Sequence, residues 1–135
     1  MGAQENKALI RHAFDDWAAG TGSVFSLLAP QATWTIVGPS VIAGTYPSRE
    51  AFMTSASGPL NARLATPLVP SLRAVYADGD TVIAFFDADA TARDGKPYHN
   101  TYTWYLQLKD EAIVHVIAFF DSMEVNDLWA RVTPE

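Results

Sequence analysis

The side chains best suited to chemistry are polar groups inside three consecutive strand-like segments. Two dipeptides with turn chemistry, Asp94-Gly95 and Asp110-Glu111, separate these segments. If each dipeptide is a two-residue hairpin loop, pairing back along the strands places Asp89, Asn100 and Asp121 in one row on one face. Opposed residues in such a row have Cβ atoms about 4.5–5.5 Å apart. Acids form strands poorly and are costly to bury unless they are paired, so the row predicts a site that could transfer protons.

Aromatic side chains surround this row in the same register. The next two rows on that face are Asp87, Tyr102 and Phe119, followed by Phe85, Trp104 and Ile117. The polar row is therefore predicted to lie in an apolar surrounding. The prediction depends on both turns, because a one-residue slip in either hairpin moves a strand's side chains to the opposite face.

Each of these polar residues also has a structural interpretation. Asp121 could cap the terminal segment, and Asp87 could be held by Tyr102. Asn100 could simply tie Asp89 to Asp121 in a satisfied polar cluster. Strand alternation places His99 on the outer face, where a subunit contact is the alternative to catalysis.

The elements that must position these residues indicate an α+β fold. An apolar stripe at helical spacing predicts a first helix over residues 5–19, and a second apolar stripe predicts a terminal helix over 122–131. A further helix begins near residue 47, and Gly58-Pro59 is expected to break or kink the chain. The remaining strands are predicted at 32–37, 41–46 and 71–76, whereas residues 61–68 are either helix or a loop over the pocket. Grouped helices followed by four antiparallel strands favour a strongly curved sheet with helices on one face.

Both faces of the predicted sheet are apolar. The face opposite the acids carries Val82, Ala84 and Phe86 on the first long strand, and similar residues on the next two. The helices suffice to cover only one face. We therefore expect a homodimer that buries the outer sheet face.

Length and composition limit the class of protein. The 135 residues predict a single domain over 1–135, and a net charge of -6 argues against nucleic acid or an anionic membrane as partner. There is no cysteine, and the three histidines lack metal-ligand spacing. No apolar run approaches a membrane span of about 20 residues, and the amino terminus does not resemble a signal peptide. A cytoplasmic protein without metal or cofactor is expected.

Several motifs together resemble a known family. They are the Trp17-bearing first helix, FSLLAPQATW ending at Trp34, AGTYPSREAF, ADGDTV, YHNTYTWYLQL and IAFFD. In order and spacing they resemble the SnoaL-like branch of the nuclear transport factor 2-like superfamily, which contains polyketide cyclases, ketosteroid isomerases and limonene-epoxide hydrolase. The resemblance implies a curved antiparallel sheet with a mixed edge, wrapped around helices to form a cone with an apolar pocket. It also implies a dimer.

The resemblance suggests roles for individual residues. Asp121 resembles the pocket acid that enzymes of the family use as a general base or acid. Asp89 resembles the partner acid of the epoxide hydrolases, but Asp87 stands where those enzymes have an arginine, which disfavours hydrolase chemistry. Trp17 and Phe14 occupy the part of the first helix where ketosteroid isomerases carry a tyrosine donor.

Three functions remain open. The first is a cofactor-independent isomerase, cyclase or dehydratase that uses Asp121 as base, Asp89 or Tyr102 as second acid or donor, and Asn100 to orient them. The second is a non-catalytic binder of a small hydrophobic metabolite, and the third is a protein-interaction module. The residues expected to contact a small apolar substrate are Trp17, Phe14, Trp34, Asp87, Trp104, Phe119, Phe85, Tyr46 and Phe52.

Overall fold

The computed structural model describes residues 2–134, which form a sheet with helices against one face. The helices are α1 (Ala3–Ala19), α2 (Arg49–Phe52), α3 (Gly58–Ala62) and α4 (Ser122–Arg131). The strands are β1 (Leu28–Ile36), β2 (Gly44–Tyr46), β3 (Val69–Asp78), β4 (Thr81–Thr91), β5 (Pro97–Lys109) and β6 (Ala112–Phe120). A 3-10 turn spans Val24–Leu27, and a π-helical turn spans Met53–Ser57. The first and last predicted helices are confirmed.

The six strands form one mixed sheet in the order β2-β1-β6-β5-β4-β3. Neighbouring strands are antiparallel except β1 and β6, which run parallel. This arrangement confirms the predicted α+β fold. The parallel pair joins the first strands of the chain to its last strand, so β6 and β5 lie in the middle of the sheet.

The predicted register between β4 and β5 is wrong by one residue. Asn100 pairs with Ala88, and Asp89 pairs with His99. The cause is the turn: Asp94-Gly95 is not a two-residue loop, because the Ala92 N–H already donates to the Lys96 carbonyl at 2.8 Å. Three residues remain between that pair, and the third, Gly95, has a φ of +86°, as expected of a three-residue hairpin loop.

The β5–β6 hairpin begins as predicted and then shifts. Asp110-Glu111 is a two-residue loop with φ values of +52° and +66°, which are typical of a type I′ turn. A β-bulge then leaves Val114 unpaired, since Leu108 faces Ile113 while Gln107 faces His115. Beyond the bulge, the predicted pairing is also wrong by one residue.

The two shifts together exchange the faces of β4 and β6 relative to β5. The inner face carries Phe86 and Ala88 on β4, Tyr102 and Trp104 on β5, and Ala118 and Phe120 on β6. The outer face carries Phe85, Asp87, Asp89, Ile117 and Phe119. The acid row that the sequence predicted therefore does not form.

Helix α1 covers part of the inner face. Its stripe buries Ile10 and Phe14 completely, and the Phe14 ring lies 4.8 Å from that of Phe86. Gly20 ends the helix in a left-handed conformation with a φ of +77°. No helix within residues 2–134 is long and apolar enough to cross a membrane, and a cytoplasmic location stays a prediction.

Candidate functional site: an aromatic pocket

A cavity of about 270 Å³ lies between the inner face of the sheet, α1 and the segment that follows β2. Its wall is mostly apolar. The aromatic side chains that line it are Trp17, Phe25, Trp34, Phe52, Tyr102, Trp104 and Phe120. Such a concave, apolar site with a few polar groups is the usual form of a small-molecule binding site.

The aromatic wall is built from several elements that meet at Trp104 of β5. Trp17 of α1 stacks against Trp104 at a centroid distance of 5.9 Å, and Trp34 of β1 meets it edge-on at 5.0 Å. Phe52 in turn stacks on Trp34 at 3.9 Å. These rings support one another, so the wall is held in place by packing.

The segment over the cavity stays helical at Gly58-Pro59, where a break or a kink was expected, and it contains a wide π turn. The π turn runs directly into α3 through Gly58, and a Cβ at this glycine would lie 2.7 Å from the Met53 carbonyl oxygen. Gly58 therefore permits the wide turn rather than ending the helix. π turns occur often at functional sites. Here the turn and the chain beyond it place Met53, Ser57 and Leu68 on the cavity wall.

Residues 61–68 were predicted to be either helix or a loop. They complete α3 and then continue as a loop that covers the pocket. Arg63 anchors this loop: its guanidinium donates to the Pro59 carbonyl at 2.9 Å and to the Val132 carbonyl at 3.2 Å. The same group lies 3.9 Å from the ring centre of Trp129 on α4. Burial lowers the pKa of Arg63 from its usual value.

Four of the residues expected to contact substrate line the cavity, namely Trp17, Trp34, Phe52 and Trp104, and so does Tyr102, which was predicted as a catalytic residue. Two others stand behind the wall. Phe14 packs in the core against Phe86, and Tyr46 lies beside Phe52 with its hydroxyl donating to the Ile42 carbonyl at 2.6 Å.

The other three expected contacts are placed elsewhere. Phe85, Asp87 and Phe119 lie on the outer face, because of the two register shifts, and they do not line the cavity. Sequence reasoning missed Ala118 and Phe120, which the same shifts bring inward. It also missed Phe25, whose position in an irregular segment gave no periodic signal.

Asp87 and Asp89 are engaged on the outer face. The Asp87 carboxylate accepts a hydrogen bond from the Thr101 hydroxyl at 2.7 Å and pairs with Arg73 at 2.8 Å. These contacts, the Thr101 bond first, hold the pKa of Asp87 below its usual range. Asp89 is exposed and lies 2.6 Å from Nδ1 of His99. Neither acid faces the pocket, contrary to the prediction.

Asp121 takes the structural position that was its alternative interpretation. Its side chain is exposed, and its carboxylate accepts the Met123 N–H at 3.0 Å, which caps the first turn of α4. Asp121 nevertheless lies beside Asn100, as predicted, but its backbone and not its carboxylate makes the contact. The Asn100 amide accepts the Asp121 N–H at 3.0 Å and donates to the Asp121 carbonyl at 3.1 Å.

A buried polar network links this backbone contact to the pocket. The Asn100 amide donates to the Tyr98 hydroxyl at 3.0 Å, and that hydroxyl lies 2.8 Å from the hydroxyl of Tyr102. All three residues are at most 5% exposed. Burial raises the pKa of Tyr98 and, more strongly, that of Tyr102. Sequence reasoning missed Tyr98, although its i, i+4 spacing from Tyr102 on one strand face could have suggested the pair.

The polar atoms of the cavity wall belong to neutral side chains. They come from Ser23, Ser57, Asn61 and Tyr102, together with the indole of Trp34. Within residues 2–134, no group of three or more histidine or acidic side chains is placed to hold a metal ion. The apolar part of the wall can therefore shield a bound molecule from water, and the neutral polar groups can form hydrogen bonds with it.

Comparison with known proteins identifies the family. The family model of the SnoaL-like domain matches residues 7–116, so the chain belongs to this family, within the nuclear transport factor 2-like superfamily. No curated protein matches the sequence.

Solved structures share the fold over nearly the whole chain. Bal32a, from a soil-derived mobile gene cassette, has a TM-score of 0.76 and 23% identity and covers 94% of this chain and 98% of its own. A proposed SnoaL-like polyketide cyclase from Jannaschia sp. CCS1 has a TM-score of 0.71 and 14% identity, with coverage of 92% and 93%. A proposed isomerase from Rhodopseudomonas palustris has a TM-score of 0.65 and 12% identity, with coverage of 93% and 96%. At these identities the likeness shows the fold alone.

Proposed function

We propose that the protein binds a small, largely apolar molecule in the aromatic pocket. The observation that carries this proposal is the cavity of about 270 Å³ behind a supported aromatic wall. An apolar cavity of about 150 Å³ is large enough to take up benzene. The pocket therefore suits a bicyclic molecule of about ten carbon atoms. At roughly 0.5–0.6 kcal/mol per non-hydrogen atom, such a ligand would bind with a Kd of roughly 40–200 micromolar.

Two bicyclic probes test the proposal. Tetralin and its ketone 1-tetralone differ by one carbonyl group and match the expected size. Binding can be followed by calorimetry and by tryptophan fluorescence, since Trp17, Trp34 and Trp104 line the wall whereas Trp129 does not. Saturable binding of either compound with a tryptophan signal is expected, and the absence of binding for both would refute the proposal.

Two neighbouring substitutions on β6 locate the binding site. Ala118 lines the cavity, so Ala118→Leu should fill part of it and weaken probe binding at least tenfold. Ile117 faces outward on the same strand, so Ile117→Leu is the matched control and should leave affinity unchanged. Equal affinity in both variants would place the probes outside the pocket.

Catalysis by acid–base chemistry is the second candidate. In this proposal Asp121 is the base, Tyr102 the donor and Asn100 the residue that orients them, in an isomerase, cyclase or dehydratase reaction. The backbone bonds between Asp121 and Asn100 keep this acid beside the network that leads through Tyr98 to the pocket, although its carboxylate caps α4 and does not line the cavity. The names of two structural neighbours, a proposed cyclase and a proposed isomerase, add support. Asp89 is left out of this candidate, because it lies on the outer face.

Asp121→Asn separates this candidate from simple binding. Asparagine also caps helices well, so the variant keeps the start of α4 and removes only the ionisable group. Turnover of polyketide-like or terpenoid ketones should be lost while probe binding survives. If turnover is unchanged in Asp121→Asn, the carboxylate is not the base.

We also propose that the outer sheet face forms a homodimer. Val82, Ala84 and Phe86, which the sequence placed on this face, are buried on the inner face instead. Tyr105, Ile117 and Phe119 are exposed on the outer face by 41%, 39% and 55%, and they lie on the two central strands. A typical interface buries about 800 Å² on each partner, so a dimer through this face would cover these side chains. Sedimentation of the wild type should give a dimer, and Phe119→Lys should shift it to a monomer. A wild-type monomer would contradict the dimer and leave this face to a different partner protein.

A further inference from the structure

We infer that Tyr98 is a positioning residue that turns the Tyr102 hydroxyl into a hydrogen-bond donor toward the pocket. The pocket would then prefer ligands that carry a carbonyl or another acceptor oxygen. This inference rests on the proposed binding function and specifies the ligand class for the same cavity. It follows from counting the hydrogens of the buried network.

The direction of the network is set at Asn100 by the backbone. The side-chain oxygen of Asn100 accepts the N–H groups of Thr101 at 2.8 Å and Asp121 at 3.0 Å. An oxygen must therefore occupy this position, and the amide nitrogen must occupy the other. Its two hydrogens then point to the Asp121 carbonyl at 3.1 Å and to the Tyr98 hydroxyl at 3.0 Å. Tyr98 is consequently an acceptor for Asn100.

The hydroxyl hydrogen of Tyr98 has one available acceptor in residues 2–134. Tyr98 is 1% exposed, and besides Asn100 its hydroxyl contacts only the Tyr102 hydroxyl, at 2.8 Å. A buried hydroxyl hydrogen without an acceptor incurs the full cost of its desolvation. The favoured arrangement is therefore the one in which Tyr98 donates to Tyr102.

Tyr102 is left with a hydrogen to donate. Its oxygen is occupied by Tyr98, and among the described residues its hydroxyl has no other partner. Tyr102 lines the cavity, so an acceptor oxygen on a bound ligand can receive this hydrogen. Burial raises the pKa of Tyr102 well above its usual value, which keeps the hydroxyl neutral and able to donate at physiological pH.

Two features of the surroundings support the same ligand polarity. Hydrogen bonds in a chain polarise one another, so donation from Asn100 and Tyr98 makes the Tyr102 hydroxyl a stronger donor. A second wall residue, Trp34, carries a buried indole N–H that bonds to none of the described residues. The Tyr102 hydroxyl and the Trp34 indole N–H are both free to donate a hydrogen bond to the ligand, and neither needs a hydrogen from it.

The first test compares 1-tetralone with tetralin. In the wild type, 1-tetralone should bind about tenfold more tightly than tetralin, and Tyr102→Phe should abolish this preference while tetralin binds as before. Tyr98→Phe keeps the Tyr102 hydroxyl but removes its orienting donor, so the preference should fall severalfold. Tyr105→Phe, on the same strand and the outer face, is the control and should leave the preference unchanged.

The second test reads the donor directly and reverses it. The infrared carbonyl band of bound 1-tetralone should lie at lower wavenumber in the wild type than in Tyr102→Phe, with Tyr98→Phe between them. In Asn100→Asp, the new carboxylate would accept from Tyr98, so Tyr102 would donate to Tyr98 and present only lone pairs to the pocket. The preference for the ketone should then disappear. If Asn100→Asp fails to fold, the two phenylalanine variants still decide the matter.

The possible failures can be told apart. Equal binding of 1-tetralone and tetralin to the wild type would refute this inference and leave the binding function standing. A carbonyl band that does not move in Tyr98→Phe would refute the positioning role of Tyr98. Failure of both compounds to bind would refute the binding function itself, and with it this inference.

Discussion

Asn100→Ala should be among the most destabilising single substitutions outside the aromatic core. The buried Asn100 amide takes part in four hydrogen bonds, three of them to backbone groups of Thr101 and Asp121 and one to the Tyr98 hydroxyl. At about 1 kcal/mol net for each bond, their loss would cost about 4 kcal/mol. Water can reach the exposed Asp121 and satisfy part of its backbone, so we expect about 3 kcal/mol. This is a large share of the roughly 5–15 kcal/mol that stabilises a typical domain.

Urea unfolding and thermal melting followed by circular dichroism measure this loss. For a chain of this length, 3 kcal/mol corresponds to a decrease in Tm of about 10 °C. Asn126→Ala is the matched control, because the half-buried Asn126 side chain also bonds to backbone, accepting the N–H of the exposed Val41 at 2.9 Å. It should cost less than about 1 kcal/mol. If Asn100→Ala costs no more than this control, the network does not fix the junction between β5 and α4, and the reasoning is wrong.

Three further substitutions test other features. In the folded protein the pKa of Asp87 lies below its unfolded value. The ionised Asp87 therefore stabilises the folded protein by about 1 kcal/mol above pH 4. This stabilisation is lost as the pH falls through the lower folded pKa. The stability difference between wild type and Asp87→Asn in urea should therefore shrink between pH 7 and pH 3, and a constant difference would contradict the pairing. Gly58→Ala should lower the stability of the fold by about 1–3 kcal/mol and weaken 1-tetralone binding, because the new Cβ would lie 2.7 Å from the Met53 carbonyl oxygen. A Tm equal to that of the wild type would argue against the π turn. Glu111→Gly should add about 1 kcal/mol in thermal melts by relieving a φ of +66°, and no gain would count against the type I′ turn.

Local patterns predicted the first and last helices and the fold class, because these features depend on neighbours along the chain. The stripe of Ile10, Ala13 and Phe14 forms α1, and Ser122 starts a helix with Val125 and Leu128 on its buried face. Helical spacing of this kind leaves a signal within one segment. The order of these segments was then enough to favour an α+β fold.

The register of the central strands could not be predicted in the same way. The Asp94-Gly95 dipeptide fits either a two-residue or a three-residue loop. Gly95 takes a different position in each of these loops, and glycine is favourable at both positions. The bulge at Val114 has no sequence signal of its own, because it depends on how β6 packs against β1 and β5 at once. Each of these unseen details shifts the pairing by one residue.

The sequence by itself determined the fold, the family and most of the aromatic wall, because Trp17, Trp34, Tyr102 and Trp104 are set by strong periodic patterns. Only the tertiary structure decided which polar groups face that wall. In a strand, side chains alternate between faces, so a one-residue shift exchanges every inward residue for an outward one. The β4–β5 shift turned Asp87 and Asp89 outward, and the β5–β6 shift brought Ala118 and Phe120 inward. Tyr102 kept its place on the cavity wall, with Tyr98 behind it.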